Sequence, residues 1–188
     1  MVSAIVLLAD GTEEMEFTIT ADILRRAQVD VKVVGVQLKN SFAECSRGVK
    51  IVPDILIENL ENANEFDAII IPGGLKGAET LTNDVSVQDL IKYYYEANKI
   101  VAFICAGTLA AKQADIAKGK AATSYPAFKD QLSTFYDYKD DRVVVDGNLI
   151  TSRGPGTAFL FALTLVEKLV GKEVVTKLEK EMLTASTL

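Results

Sequence analysis

The sequence predicts one α/β domain over residues 1–188, built on a mainly parallel sheet with helices on both faces. The length of 188 residues suits a single large core. Four apolar runs lack the strict alternation of a half-exposed strand, as expected for strands buried on both faces. Segments of helical length separate most of these runs.

The first run, "VSAIVLLA" (2–9), reads as a strand ending at the turn Asp10-Gly11. A helix follows over 13–28, with Thr12 as its N-cap. "VKVVGV" (31–36) is the second strand. "SFAECSRGVKIVPDILI" (41–57) interrupts the alternation and reads as an extra hairpin with Gly48 near its turn. "FDAIIIP" (66–72) and "IVAFIC" (100–105) are further buried strands, flanked by helices over 84–97 and 107–115. "NLITS" (148–152) is the last strand, before helices over 155–170 and 172–182. There are no repeats and no linker. In an open α/β sheet, ligands bind beyond the carboxyl ends of the strands. That rule brings Asp10–Glu16, Gly73-Gly74 and Cys105 to one sheet edge.

Composition narrows the chemistry. A net charge of −6 argues against nonspecific nucleic-acid binding. Two cysteines make no disulfide framework and fit a reducing compartment. No apolar stretch approaches the roughly 18 residues that span a bilayer. The N-terminus lacks the basic start of a secretory signal and the arginines of a transit peptide. These features read as a cytoplasmic protein, with nuclear or mitochondrial redistribution left open, and neither nucleic acid nor membrane is an expected partner. The chain has no histidine. Ser-His-Asp and Cys-His hydrolases are excluded by inventory, as are His-based zinc sites and haem ligation by His. Catalysis has to use Cys, Glu, Asp, Lys, Tyr, Ser or backbone amides.

"KIVAFICAGTLAAK" (99–112) places Cys105 where a buried strand turns into a helix. A side chain at such an elbow projects from the sheet edge, and the helix N-terminus favours thiolate over thiol. A buried Cys acting as a small hydrophobe fits the same position. Cys45, in the hairpin, has no helix after it and fits that second reading better.

In the 13–28 helix, Glu14, Thr18, Asp22 and Arg25 share a polar sector, where Glu14 reads as a first-turn acid. Met15, Ile19 and Ile23 flank it on one side, and Phe17, Ala21 and Leu24 on the other. Glu16 projects between the two apolar stripes. A carboxyl buried there has a raised pKa and can hold its proton toward sulfur; alternatively it reaches solvent or pairs with Arg26. One stripe packs on the sheet. The other needs a cover, which a homodimer supplies, or else the hairpin or the C-terminal helix. After the third buried strand, Gly73-Gly74 can aim backbone amides at an anion, or can form a plain turn. The stretch is neither a Walker A loop nor GxGxxG.

Taken together, "ADGTEEMEF" (9–17), "ECSRGVKIVPD" (44–54), "IIIPGGLKGAETL" (69–81), "FICAGTLAAK" (103–112), "TSYP" (123–126), "DGNLITSRGPGTAF" (146–159) and "VEKLVGKE" (166–173) resemble the ThiJ/PfpI superfamily. Within it, they resemble the family of the parkinsonism-associated protein deglycase. The resemblance covers nearly the whole chain. It implies a flavodoxin-like three-layer sandwich, a homodimer, and Cys105 as the reactive, oxidisable cysteine. It makes Glu16 the acid that contacts the sulfur, and Gly73, Gly74 and Ala106 the positions whose backbone amides surround the site. It implies that Arg47 approaches the pocket from the other subunit, that Arg26 is a basic residue near it, and that Cys45 is less reactive. The chain departs from the family pattern in two places. "Ser124-Tyr125-Pro126" stands where close relatives often carry Thr-His-Pro, and a phenol is a poor base at neutral pH. Val52 stands where a relative has a further cysteine.

Two functions follow as expectations, both associated with protection against oxidative stress. One is a cofactor-independent glyoxalase or protein deglycase, acting on methylglyoxal, glyoxal or their early adducts through Cys105, with Glu16 as proton shuttle. The other is a redox sensor or chaperone whose Cys105 is oxidised to sulfinate, with client or signalling proteins as partners. No metal or organic cofactor is required by either.

Overall fold

The computed structural model describes residues 1–185 and 187. The expected span of 1–188 therefore includes two positions, 186 and 188, that lie outside the described residues. In chain order the elements are β1 (Ser3–Leu8), α1 (Glu14–Arg26), β2 (Asp30–Gly35), β3 (Ala43–Glu44), β4 (Lys50–Ile51), β5 (Ile55–Leu56), β6 (Ala68–Ile71), α2 (Leu75–Asn83), α3 (Val85–Glu96), β7 (Ile100–Ile104), α4 (Thr108–Gln113), β8 (Ala121–Ala122), α5 (Lys129–Ser133), β9 (Asp137–Tyr138), β10 (Val143–Asp146), β11 (Leu149–Ser152), α6 (Ala158–Val170) and α7 (Lys172–Glu181).

The main sheet has the order β10-β11-β7-β6-β1-β2-β5. Every neighbouring pair is parallel except β10 with β11. The five central strands thus follow the flavodoxin-like order, whose ligand crevice opens where the connections change direction, here between β1 and β6.

Two-sided burial explains the unbroken apolar runs. In β1, Ala4, Val6 and Leu8 face a core layer shared with Phe17 and Leu24 of α1, Phe161 of α6 and Leu178 of α7. Ile5 and Leu7 face the opposite layer, with Leu81 of α2, Ile91 and Tyr94 of α3, and Ala110 of α4. The central strands β1, β6 and β7 have apolar residues at both parities because both faces are covered by helices. No helix among the described residues is long and apolar enough to cross a membrane.

Several elements differ from the sequence expectation. The 41–57 segment is a hairpin only through β3 and β4, which pair antiparallel around Gly48 at φ +87°. Its last residues form β5, a parallel edge strand beside β2. Helix α2 was not expected, because Gly77 weakens its helical pattern. The glycine is there for contact: a Cβ at Gly77 would lie 2.6 Å from Thr12 N. Strand β10 and the short helix α5 were also not expected. Around Asp146-Gly147 the turn was legible, but the strand before it was not. The N-cap of α1 is Glu13, whose carboxylate accepts from Glu16 N–H at 2.8 Å. Thr12 instead accepts from Ala9 N–H and closes the turn after β1.

Candidate functional site

Strand β7 stops at Cys105, which sits at φ +62°. A non-glycine residue in this left-handed region carries about 1–2 kcal/mol of strain. The strain turns the chain sharply into a short 3₁₀ turn, Cys105–Gly107, and then into α4. Gly107 allows the close approach, since a Cβ there would lie 2.5 Å from the Ile71 carbonyl oxygen. Cys105 is left partly exposed at the carboxyl end of the sheet.

Helix α1 begins at the neighbouring crevice and carries Glu16, which is fully buried. Its Oε2 accepts from Gly73 N–H at 2.8 Å. Its Oε1 is buried without a hydrogen-bond partner. The Glu16 carboxyl and the Cys105 side chain both crowd against Gly73. A Cβ on Gly73 would lie 2.5 Å from Glu16 Oε2 and 2.6 Å from Cys105 Cβ. The amides of Ala106 and Gly74 face the sulfur.

Burial raises the Glu16 carboxyl to about 7, against the opposing pull of the Cys105 thiol and the Gly73 amide. Burial also raises the Cys105 thiol, to about 12, and the adjacent Glu16 carboxylate adds to the rise. The two groups titrate as a unit, so one negative charge is shared across the interval between them. The balance at Cys105 leans toward thiol, against the pull expected of a helix N-terminus. Helix α4 has only six residues, and burial plus the neighbouring carboxylate outweigh the amides.

A cavity of about 1100 Å³ opens above the pair. Its far side is the β3–β4 hairpin, tied to the β1–α1 turn by Ser46 N–H to the Thr12 carbonyl and Gly11 N–H to the Glu44 carbonyl, both at 2.8 Å. Asp10 Oδ1 adds a tie by accepting from Glu44 N–H at 3.0 Å, and Glu14 adds another. It is buried, not a solvated first-turn acid, and it accepts from Ser46 Oγ and Arg47 N–H, both at 2.7 Å. Sequence reasoning passed over this residue, because an acid in a first helical turn needs no other explanation. Cys45 lines the same cavity and is 5 % exposed. Burial pushes its thiol up to about 11, with Glu14, Glu13 and Asp10 adding to the rise. Among the described residues, no group of three or more His, Cys, Asp or Glu is placed to hold a metal.

Residues 2–168 match the model of the DJ-1/PfpI family. The chain is 46 % identical over 182 residues to Protein DJ-1alpha of Drosophila melanogaster, covering 96 % of this chain and 83 % of that one. It is similar to the crystal structure of Drosophila melanogaster DJ-1beta, with a TM-score of 0.93 and 45 % identity over 98 % of each chain. The chain belongs to the DJ-1/PfpI family. Another relative is named "Glutathione-independent glyoxalase DJ-1", from Schizosaccharomyces pombe; it is 39 % identical over 180 residues, 92 % of this chain and 94 % of that one.

Cys105, Glu16, Gly74, Ala106, Tyr125 and Arg47, all singled out in the sequence, line the cavity. Gly73 lies behind them, with its amide committed to Glu16, so only Gly74 and Ala106 offer amides toward the sulfur. Arg47, placed by the family resemblance on the other subunit, lines the cavity of its own chain. Arg26 sits in the last turn of α1, exposed and paired with Asp22 at 2.7 Å, and does not line the cavity of its own chain. Ten residues separate it from Glu16, about 15 Å along the helix.

Proposed function

We propose that this protein converts 2-oxoaldehydes such as methylglyoxal and glyoxal, and their early adducts on proteins, to 2-hydroxy acids. The observation that carries the reading is a strained, partly exposed Cys105 beside a fully buried carboxyl that exchanges its proton near neutral pH. The name of the Schizosaccharomyces pombe relative supports the same chemistry.

The steps balance without an external cofactor. Ionised Glu16 takes the Cys105 proton as the sulfur adds to the aldehyde carbon, and the resulting alkoxide is protonated to a hemithioacetal. The amides of Gly74 and Ala106 stabilise negative charge during addition. Glu16 then removes the hydrogen on that carbon and returns a proton to the adjacent carbon, leaving a thioester of the 2-hydroxy acid. Oε2 is fixed by Gly73, so Oε1 is the oxygen free to carry the proton. Water hydrolyses the thioester and restores the thiol. Methylglyoxal plus one water gives lactate.

A second reading has its own support. The same amides and the unpartnered Oε1 suit the oxygens of a sulfinate, so Cys105 also serves as a peroxide sensor. A homodimer is proposed as well. On α1, Met15 is 53 % exposed and Ile19 only partly covered, while Phe17 and Leu24 fill the core. Light scattering at micromolar concentration should give twice the monomer mass; a monomer counts against the dimer.

The decisive experiment follows methylglyoxal loss and lactate gain with wild type and Cys105→Ser, alongside peptide mass after graded peroxide. Turnover and the addition of two oxygens should both require Cys105. Turnover that persists in Cys105→Ser overturns the enzyme reading, and preferential dioxygenation of Cys45 overturns the sensor reading.

A further inference from the structure

At about 1100 Å³, the cavity exceeds the roughly 300–1000 Å³ typical of sites for drug-sized ligands, and a three-carbon dicarbonyl fills little of it. Its lining is uneven. Charged residues of both signs are on the wall, Lys39, Arg47 and Lys76 with Asp10, Glu13 and Glu44, and so are the apolar Tyr125, Phe128 and Pro155, with Leu75 at the start of α2. Tyr125 and Leu75 are 47 % and 71 % exposed, unusually open for apolar side chains beside a nucleophile.

The aromatic part is a built shelf. The Tyr125 and Phe128 rings lie 6.4 Å apart with 58° between their planes. The Tyr125 ring rests against the turn before Pro155, where a Cβ on Gly154 would lie 3.7 Å from Tyr125 Cδ2. The shelf adjoins the reacting residue: Tyr125 N–H donates to the Cys105 carbonyl at 3.4 Å, and both residues line the cavity. A group bonded to a carbonyl under attack by the sulfur therefore has a flat apolar surface within reach. Tyr125 is where this chain departs from the Thr-His-Pro pattern. The replacement removes a base from the pocket but leaves a larger, more apolar ring in its place.

We propose that Tyr125, Phe128 and Pro155 form a subsite for an aryl or bulky apolar group on the carbonyl substrate, making this chain selective for aryl 2-oxoaldehydes. The proposal rests on the dicarbonyl reading and extends it from the reacting carbonyl to the group beside it. The same sulfur addition, proton transfer and hydrolysis convert phenylglyoxal and water to mandelate.

The test compares phenylglyoxal with methylglyoxal by kcat/KM in wild type, Tyr125→Ala and Tyr125→Phe. In parallel, Cys105 is alkylated by 2-iodo-N-phenylacetamide and by iodoacetamide. There the sulfur displaces iodide and no turnover is needed. Both aryl-to-small ratios should fall about tenfold in Tyr125→Ala, the size of one aromatic contact, with the turnover loss carried by KM for phenylglyoxal. Tyr125→Phe should keep both ratios, because the shelf uses the ring and not the hydroxyl. If wild type turns over neither aldehyde yet the alkylation ratio falls in Tyr125→Ala, the subsite stands and the dicarbonyl reading fails. A ratio unchanged in Tyr125→Ala, in either assay where wild type reacts, overturns the subsite. So does an equal loss in Tyr125→Phe.

Discussion

Cys105 and Cys45 line one cavity, and burial raises both thiols, to about 12 and about 11. Their surroundings differ. Cys105 stands at a left-handed elbow, under two backbone amides and against a carboxyl that titrates near neutrality. Cys45 sits in a hairpin, its N–H bonded to the Val49 carbonyl at 2.8 Å, with Glu14, Glu13 and Asp10 acting on it only as charges. The comparison teaches that a raised thiol pKa, common to both, does not by itself decide which cysteine would react. A thiol with a proton acceptor in contact can ionise at the moment of attack. One surrounded by distant carboxylates is only made harder to ionise.

The largest expected effect comes from removing that acceptor. Glu16→Gln retains the size and a donor but cannot exchange a proton, and no histidine can replace it. Methylglyoxal turnover should fall by about 10² to 10⁴. Cys105 should still reach sulfinate under peroxide, since an amide can bond to that anion. Glu16→Asp should impair both, because the shorter acid misses the sulfur. Wild-type turnover in Glu16→Gln breaks the comparison, since Cys105 would then need no acceptor.

The buried carboxyl should also appear as a pH-dependent stability difference. Its pKa is raised in the folded state from 4.5 to about 7, so the fold binds the extra proton in that interval. The contribution is fully present below 4.5 and is lost as pH rises through 7. Urea unfolding should show wild type losing about 3 kcal/mol relative to Glu16→Gln between pH 4.5 and pH 8. A flat difference would mean that Glu16 is solvated.

Gly73→Ala tests the crowding of the pair. The new methyl meets Glu16 Oε2 and Cys105 Cβ. We expect a destabilisation of about 1–3 kcal/mol, the usual cost of overpacking. Turnover should drop while alkylation of Cys45, measured in the unfolded chain as reference, stays unchanged.

The smallest effect belongs to the Cys45 side. Glu14→Gln weakens two hydrogen bonds that hold the hairpin, at about 1 kcal/mol by thermal unfolding. Amide exchange should quicken at Arg47, whose N–H donates to Glu14. Unchanged exchange would show that the hairpin is held without Glu14, by its backbone bonds and by Asp10, which accepts from Glu44 N–H at 3.0 Å.

Much of this was legible in the sequence, because it depends on local pattern. Unbroken apolar runs in β1, β6 and β7 marked strands covered on both faces, and small residues after Cys105 marked an elbow. Glu16 stood out as an acid between two apolar stripes of one helix. Other features were decided by contacts between distant segments. Helix α2 looked too weak to form until Gly77 met Thr12. Glu14 looked like an ordinary helix-start acid until the hairpin brought Ser46 and Arg47 to it. The proton balance of Cys105 could not be read from one elbow. The helix behind it favours thiolate, whereas burial and Glu16, brought together by the β1–β6 crevice, favour thiol. A sequence specifies which groups can ionise; the surrounding packing and charge, which exist only once the chain has folded, decide which of them does.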